Sequence, residues 1–176
     1  MSKTLTAAEA EGFFKFEKVG GSVDALETPV PIIDFDVMLA NLIRWQKHCD
    51  EAGIANWPHI KTHKLVPVAK LQVALGAKGL AVQKLGEAEV MAAAGLKDLL
   101  LTFNIVGESK VARLAQLVRG THIAVVADST DILTGLNEAG KRGGRKLEVL
   151  VECDTGMGRN GVQSPAAAVT LASTGR

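Results

Sequence analysis

Short apolar runs alternate with longer stretches of helical periodicity along most of this chain. The apolar runs are rich in aliphatic and β-branched residues, and each is followed by apolar residues at helical spacing. This pattern predicts strands at residues 55–61, 79–83, 98–104, 122–128 and 147–154. It predicts helices between and after them at residues 67–75, 86–94, 109–118, 131–142 and 165–172.

The alternation predicts an α/β fold with a parallel sheet, because a helix between two strands returns the chain so that both run in the same direction. The strands are nearly all apolar, as sheets covered on both faces require. A doubly wound sheet and a (β/α)8 barrel both fit, and both place their sites at the carboxyl ends of the strands. The polar residues at those ends are Lys61, Gln83, Asn104, Asp128 and Asp154.

The first part of the chain is harder to interpret. Residues 1–28 are predicted to be a leader with a short helix that Thr6 caps and Glu9 supports. Residues 28–34 favour a further strand, which its prolines would confine to a sheet edge. Asp36 is the predicted cap of the long helix that follows.

Composition narrows the class of protein without identifying a site. A formal net charge of +1 over 176 residues gives no argument for a nucleic-acid or membrane partner, and no Gly-rich nucleotide fingerprint is present. Cys49 and Cys153 lie too far apart for a metal or redox motif, and both are expected to be core thiols. The sequence has no secretory signal and no apolar run of membrane length, so we expect a cytoplasmic protein.

Residues 57–64, with the sequence WPHIKTHK, concentrate lysines and histidines. Alternation along a short strand would put His59 and Lys61 on one side. Burial at a strand end favours the uncharged amine, which is the form that a Schiff-base lysine needs. A cluster of lysines and histidines is also common in solvated loops, so the residues by themselves leave both interpretations open.

Residues 154–162, with the sequence DTGMGRNGV, follow the last predicted strand. Three glycines permit tight turns and a close approach of the backbone to a ligand. Arg159 can offer a fork of donors to an anionic oxygen. The alternative is a flexible loop with a surface arginine, and we assign Asn160 no role.

PHIKTHK resembles the lysine motif of the D-threonine aldolase and D-serine dehydratase family, the fold-type III pyridoxal-phosphate (PLP) enzymes related to alanine racemase. DTGMGRNG is similar to the D-x-G-M-x-R-x-G segment of alanine racemases and related PLP proteins. The resemblance implies a partial (β/α)8 barrel of about five βα units at residues 29–176. It also implies a PLP-dependent lyase for small D-amino acids, which cleaves D-threonine to glycine and an aldehyde or dehydrates D-serine.

The resemblance also implies roles for particular residues. The family lysine that carries PLP maps to Lys61, and the arginine that approaches the phenolic oxygen of PLP maps to Arg159. Gln83 maps to a position that lines the pocket, whereas the family usually has arginine where Trp57 stands. Further candidates for lining the pocket, from their places beside the lysine or at strand ends, are His59, His63, Asn104 and Asp128, the last two being equally expected as loop caps.

Proteins of this family are much longer than this chain, and the resemblance covers only their first part. Their phosphate-binding loop, their ligands for a divalent metal (manganese, magnesium or zinc) and their β-domain belong to the later part, so no metal ligand is assigned here. The full-length family is expected to form homodimers. Two other interpretations stay open: a non-catalytic PLP-binding barrel that serves PLP homeostasis, and a truncated chain with no activity of its own.

Overall fold

A computed structural model describes residues 5–14 and 21–175 of the chain. The helices in these residues are α1 (Ala7–Glu11), α2 (Phe35–Glu51), α3 (Val66–Leu75), α4 (Leu85–Ala93), α5 (Glu108–Val118), α6 (Thr130–Gly143) and α7 (Pro165–Thr174). The strands are β1 (Leu80–Val82), β2 (Asp98–Leu101), β3 (His122–Ala127) and β4 (Glu148–Val151). Among the residues so described, no helix combines the length and the apolar character needed to cross a bilayer.

The strands form one parallel sheet in the order β1-β2-β3-β4. Leu99 of β2 lies between Leu80 of β1 and Ile123 of β3, and Val125 of β3 pairs with Val149 of β4. Each strand therefore lies next to the one that follows it in the chain, with a helix between them. A doubly wound sheet reverses its strand order at a switch point, whereas a barrel keeps chain order. The predicted parallel α/β fold of the barrel type is confirmed.

The described residues divide into two compact units. The first contains those up to Asn56 together with Pro67–Lys78. Its core packs small and aliphatic side chains, and the Phe14 and Phe35 rings meet edge to face with centroids 5.4 Å apart. The buried members of this core are Ala10, Leu39, Leu71 and Leu75.

The second unit contains Trp57–Val66 and the described residues from Gly79 onward. Its core is the sheet, with α4 packed on β1 and β2 and α6 packed on β3. Burying one such aliphatic side chain stabilises the fold by roughly 1.5–3 kcal/mol. The sheet residues without measurable exposure are Leu80, Val82, Leu99, Leu101, Val125 and Ala127.

The strand predicted at residues 55–61 is wrong. His59 makes a single parallel bridge to Ala81, and the chain then enters a 3₁₀ helix, Ile60–Thr62. The His59 imidazole accepts a hydrogen bond from the backbone N–H of Lys61, with Nδ1 and N 3.3 Å apart. That N–H therefore bonds to a local side chain instead of a neighbouring strand, so the alternation expected for His59 and Lys61 does not occur.

The strand predicted at residues 28–34 is wrong as well. This segment is exposed and belongs to none of the described strands. Its two prolines have no backbone N–H to donate to a neighbouring strand, which removes two of the donors that a strand there would use.

The helix caps give one confirmation and one correction. The predicted capping box of α1 is confirmed, because Thr6 Oγ1 accepts from Glu9 N at 3.3 Å and Glu9 Oε2 accepts from Thr6 N at 2.8 Å. The cap of α2 is Asp34 and not Asp36: its carboxylate accepts from Val37 N at 3.0 Å. Asp36 lies in the first helical turn, where a negative charge is also favourable.

The two cysteines differ in burial. Cys49 is buried in α2, as predicted. Cys153 is exposed, so the prediction of a core thiol is wrong there. It follows β4, which has a neighbour on one side only in the described sheet and lacks the full cover that the central strands have.

Gly79 precedes β1 and packs against the indole of Trp57. An added Cβ would lie 2.6 Å from Trp57 Cη2 and 2.7 Å from the carbonyl oxygen of Asp98, and it would also collide with Cζ3 of the indole. We expect Gly79→Ala to lower the free energy of unfolding by about 2 kcal/mol, a usual cost of overpacking. Urea denaturation of both proteins measures this difference.

Gly86 provides the matched control, because it lies in α4 and its nearest neighbour to an added Cβ is the flexible Arg113 side chain at 3.8 Å. Gly86→Ala is expected to leave stability unchanged or to raise it by about 0.5–1 kcal/mol, since glycine is unfavourable within helices. An equal loss in both variants would contradict the steric explanation.

Candidate functional site

The carboxyl ends of the strands form a row of polar residues along one edge of the sheet. Gln83 follows β1, Thr102 follows β2, Asp128 follows β3 and Glu152 follows β4. The bridge from His59 to Ala81 adds the lysine segment beside β1. Parallel strands end at the same edge, so residues far apart in sequence share one surface.

The His59 ring bonds on both sides. Its Nε2 lies 3.1 Å from Thr102 Oγ1, and its Nδ1 accepts from the backbone N–H of Lys61. The Thr102 hydroxyl in turn donates to the carbonyl oxygen of Val82 at 3.1 Å. Burial, followed by the charge of Lys61, lowers the pKa of His59 below its usual 6.5. The ring is thereby held between the end of the sheet and the lysine turn.

Lys61 lies in the 3₁₀ helix and its side chain is exposed. The burial expected from a strand end is therefore wrong, because the turn places this side chain outward while Ile60 is fully buried. Within residues 5–14 and 21–175, no hydrogen bond or ion pair engages Lys61 Nζ. The amine is accessible to a ligand.

Glu87 ties the lysine segment to the start of α4. Its Oε2 accepts from Gln83 N at 2.8 Å and from Lys84 N at 3.3 Å, and its Oε1 lies 3.4 Å from Lys64 Nζ. Burial raises its pKa, but the backbone donors of Gln83 and Lys84 and the charge of Lys64 outweigh burial, and the net pKa is lowered. Gln83, the predicted pocket residue, is half-buried beside it.

The lowered pKa of Glu87 makes part of the stability depend on pH. This contribution is present above about 4.5, the ordinary pKa, and is lost as pH falls through the lower pKa of the folded chain. We expect Glu87→Gln to lower the free energy of unfolding by about 1–2 kcal/mol at pH 7, and this difference should become smaller toward the acid end. Chemical denaturation from pH 3 to pH 7 measures both.

Glu51→Gln is the control for this experiment, because the one ion pair of Glu51 among the described residues is an exposed pair with Lys47 at 3.6 Å. Its effect should stay below about 0.5 kcal/mol at every pH. A Glu87→Gln variant with the same small effect would show that the carboxylate does not stabilise this turn.

The glycine-rich loop after β4 is folded around Asp154. Asp154 Oδ1 accepts from the backbone N–H groups of Gly156 and Met157 at 2.9 Å and of Gly158 at 3.1 Å. The donors of Gly156 and Gly158 are the main cause of a lowered pKa for Asp154, because they stabilise its charged form. Asp154, the first residue of the loop, thus holds the backbone of the residues that follow it. The loop also carries Arg159, which is exposed.

Two further carboxylates hold the second half of this loop. Asn160 Nδ2 donates to both carboxylate oxygens of Glu152, at 3.0 and 2.9 Å, and Gly161 N donates to Asp128 Oδ2 at 3.1 Å. Sequence analysis overlooked Glu152 and assigned Asn160 no role. The available signal was the place of Glu152 directly after an apolar strand. Both contacts are made by the two residues directly after Arg159 and restrict the backbone on that side of it.

The remaining candidates lie in the loops near the strand ends. His63 is half-buried, and its Nδ1 accepts from Leu65 N at 3.0 Å. Asn104 follows β2, and its Oδ1 is shielded from solvent without a hydrogen-bond donor among the described residues. An unpaired buried acceptor costs about 1–3 kcal/mol, a cost that a donor from a bound ligand would offset.

The structure joins some of these candidates and separates others. His59 contacts both Lys61 and Thr102, and Asp128 contacts the arginine loop. Lys61 lies beside β1 and Arg159 after β4, at the two ends of the row, and within the described residues no hydrogen bond or ion pair joins them. In that same part of the chain, no three His, Cys, Asp or Glu side chains are grouped to bind a metal ion.

The groups along this edge of the sheet include a nucleophile and a binder of anions. An accessible primary amine can attack a carbonyl carbon, and an accessible guanidinium can bind an anionic oxygen. The His59 imidazole lies beside Lys61, and the shielded amide oxygen of Asn104 lies in the loop after β2. These groups suit a ligand that has both an aldehyde and a negatively charged oxygen.

The chain matches the family described as alanine racemase, N-terminal domain, over residues 33–175. It is 37% identical over 157 residues to a D-threonine aldolase of an Arthrobacter species, covering 89% of this chain and 41% of that protein. It is 36% identical over 147 residues to a D-threo-3-hydroxyaspartate dehydratase of Delftia sp. strain HT23, covering 84% of this chain and 39% of that protein.

Solved structures agree with these matches. The crystal structure of D-threonine aldolase from Filomicrobium marinum superposes with a TM-score of 0.82 at 36% identity, covering 84% of this chain and 40% of that one. The Delftia dehydratase gives a TM-score of 0.74 at 35% identity, covering 86% and 41%. The chain therefore spans about two fifths of the length of these relatives.

Proposed function

This chain belongs to the alanine racemase N-terminal domain family, and on that premise we propose that it supplies the cofactor-attaching part of a PLP-dependent lyase for D-amino acids. We assign the PLP-binding domain to residues 29–176 and treat residues 1–28 as a leader. A cytoplasmic location and a homodimeric full-length protein are part of the same proposal.

The residues present fit the ring end of PLP. Attachment of its aldehyde requires an accessible primary amine, and Lys61 Nζ is exposed with no partner among the described residues. A cationic donor stabilises the ionised phenolic oxygen, and Arg159 is exposed on a loop that Asp128 and Glu152 hold. The unpaired acceptor of Asn104 is a further place for a ligand donor.

Each residue then has a defined task. Lys61 would attach PLP through Nζ, and Arg159 would bind the phenolic oxygen and favour its ionised form. When bound, PLP supplies an electron sink for the bonds at the α-carbon of the substrate. Gln83, His59, His63, Asn104 and Asp128 would line or support the pocket. In a full-length protein, the groups that bind the phosphate and a divalent metal would lie in the part that corresponds to the unmatched remainder of the relatives.

The names of the relatives support the proposed substrate class. Their names contain D-threonine and D-threo-3-hydroxyaspartate, which are D-amino acids with a hydroxyl group on the β-carbon. One relative is an aldolase and the other is a dehydratase, so cleavage of the Cα–Cβ bond and loss of the hydroxyl are the two candidate reactions. D-Serine is the smallest substrate for the second reaction.

The observation that carries the proposal is the accessible amine of Lys61 at the sheet edge. The test is an absorbance scan of the purified chain with added PLP, followed by borohydride reduction and peptide mass mapping. We expect a near-visible imine band, and one PLP per chain fixed on the peptide that contains Lys61. Absence of the band, or PLP scattered over many lysines, would contradict the proposal.

Activity assays, read together with PLP attachment, test the lyase proposal against the two other interpretations, a PLP-homeostasis barrel and a chain without activity of its own. Release of glycine from D-threonine or of ammonia from D-serine, with manganese present, would support a lyase. Specific PLP attachment without turnover would favour a PLP-homeostasis barrel or a piece that needs the rest of a longer protein. No attachment at all would favour the inactive-fragment interpretation.

A further inference from the structure

The positions of the hydrogen atoms on the His59 ring can be inferred from which of its partner atoms donate and which accept. The Thr102 hydroxyl has a single hydrogen, and the Val82 carbonyl oxygen at 3.1 Å can only accept. The Val82 oxygen also accepts from Thr102 N at 2.9 Å, so this contact by itself leaves the role of the hydroxyl towards His59 open. Thr102 Oγ1 lies 3.1 Å from His59 Nε2, and it accepts there when Nε2 carries a hydrogen.

The other ring nitrogen has the opposite role. The backbone N–H of Lys61 points at His59 Nδ1 with 3.3 Å between the nitrogen atoms, and a peptide N–H can only donate. Nδ1 must therefore present a lone pair. Only the neutral ring with its hydrogen on Nε2 satisfies both contacts, and a second proton would break the bond to Lys61.

We infer that His59 is a positioning residue, held between Thr102 and the Lys61 peptide as the neutral Nε2–H tautomer, so that it fixes the turn from which the Lys61 side chain projects. The contact turns the chain from an extended segment into the 3₁₀ helix Ile60–Thr62. Its relevance to cofactor attachment depends on the proposed function of Lys61.

The charged groups around the ring support the neutral form. Burial of the ring and the positive charge of Lys61 both lower the pKa of His59. Glu87 and the polar groups of Gln83 and Ala81 act in the opposite direction but do not outweigh them. A neutral ring also adds no positive charge next to the Lys61 amine.

The direct test is nitrogen-15 NMR of the histidine rings in the chain without PLP. We expect the His59 ring to show a protonated Nε2 and an unprotonated Nδ1 at pH 7, and its pKa to lie below the usual 6.5. His48 is the reference, because it is exposed on α2, and a His48→Gln variant assigns its signals. A protonated Nδ1, or a cationic ring at pH 7, would overturn the inference.

Variants test whether the ring fixes the turn. His59→Leu removes the acceptor, and solvent exchange of the Lys61 amide hydrogen should become about tenfold faster, as loss of one hydrogen bond allows. His59→Asn should restore much of the protection, because its side-chain oxygen can accept from the N–H two residues later. Thr102→Val removes the partner of Nε2, but Nδ1 should stay unprotonated because the Lys61 N–H still donates to it. Unchanged exchange in His59→Leu would overturn the positioning role.

PLP attachment is then a separate readout. If the unaltered chain attaches PLP, the rate constant should fall about tenfold in His59→Leu, matching the amide exchange, and recover in His59→Asn. An equal rate in all three proteins would overturn the link between His59 and Lys61. If the unaltered chain attaches no PLP, the proposed function fails, while the NMR results still decide the state of His59.

Discussion

Lys61→Ala is expected to abolish specific PLP attachment completely. The variant loses the only primary amine on the Ile60–Thr62 turn, and alanine cannot form a bond with an aldehyde carbon. Because the Lys61 side chain is exposed and makes no described contact, its removal should leave the free energy of unfolding within about 0.5 kcal/mol of the unaltered chain. Absorbance, borohydride reduction and mass mapping measure the loss.

Lys84→Ala is the matched control for that experiment. Lys84 is also an exposed lysine at the carboxyl end of the sheet, and it stands at the start of α4. The control should keep the imine band and the stoichiometry of one PLP per chain. If Lys61→Ala keeps the band, or if both variants lose it equally, Lys61 is not the attachment site.

Lys61→Arg adds a second comparison, since arginine keeps the positive charge without a nucleophilic amine at neutral pH. Loss of attachment in both Lys61 variants would show that the amine matters and not the charge. Retention in Lys61→Arg would point to an electrostatic effect and to another lysine as the site.

Gly161→Ala should cause the largest loss of stability among the substitutions considered. Gly161 has φ of 106°, a region that residues with a Cβ rarely adopt. An added Cβ would lie 2.5 Å from Asp154 N and 2.6 Å from the carbonyl carbon of Cys153, both backbone atoms that cannot rotate away. Strain of about 1–3 kcal/mol and overpacking of about 1–3 kcal/mol give an expected loss of about 4 kcal/mol.

The functional consequence of Gly161→Ala concerns Arg159. To relieve the collision, the loop must move away from Asp154, and Gly161 N then loses its bond to Asp128 Oδ2. Urea denaturation measures the stability, and the rate of trypsin cleavage after Arg159 measures the order of the loop. We expect cleavage to become at least about tenfold faster, since local opening follows the lost stabilisation.

Gly158→Ala separates collision from backbone preference. Gly158 has φ of 64°, and an added Cβ there would meet nothing within 4 Å. The expected loss is about 1–2 kcal/mol, the cost of a left-handed conformation alone. If the two variants lose the same stability, the collision at Gly161 is not the cause.

The strand predictions were correct where the apolar runs were long and their side chains are buried. Residues 122–128 were predicted as a strand, and β3 forms at His122–Ala127, because every apolar side chain in it is buried. Residues 55–61 were predicted from similar periodicity and failed, since the His59 side chain captures the N–H of Lys61. A side chain that bonds to its own backbone competes with sheet formation, and hydrophobic periodicity does not register that competition.

The residues of the candidate site were likewise predicted only in part from the sequence. Gln83 and Asp128 were selected because polar residues follow apolar strands, and this local signal places both at the carboxyl edge of the sheet. Lys61 follows none of the described strands, and the bridge from His59 to Ala81 brings its segment to that edge. Thr102 and Glu152 also follow strands but were passed over, since neither belongs to a motif. Their importance lies in contacts with His59 and Asn160, which their positions in the sequence do not reveal.

The sequence by itself determined the parallel α/β fold and the edge of the sheet where chemistry is possible, because helix and strand periodicity are local properties of the chain. Only the tertiary structure decided how that edge is built. His59 and Thr102 are 43 residues apart, and Asp128 and Gly161 are 33 residues apart, yet each pair forms a hydrogen bond. Such pairs exist because parallel strands bring distant segments together at one edge, where the geometry of each ring, hydroxyl and carboxylate determines which atoms meet.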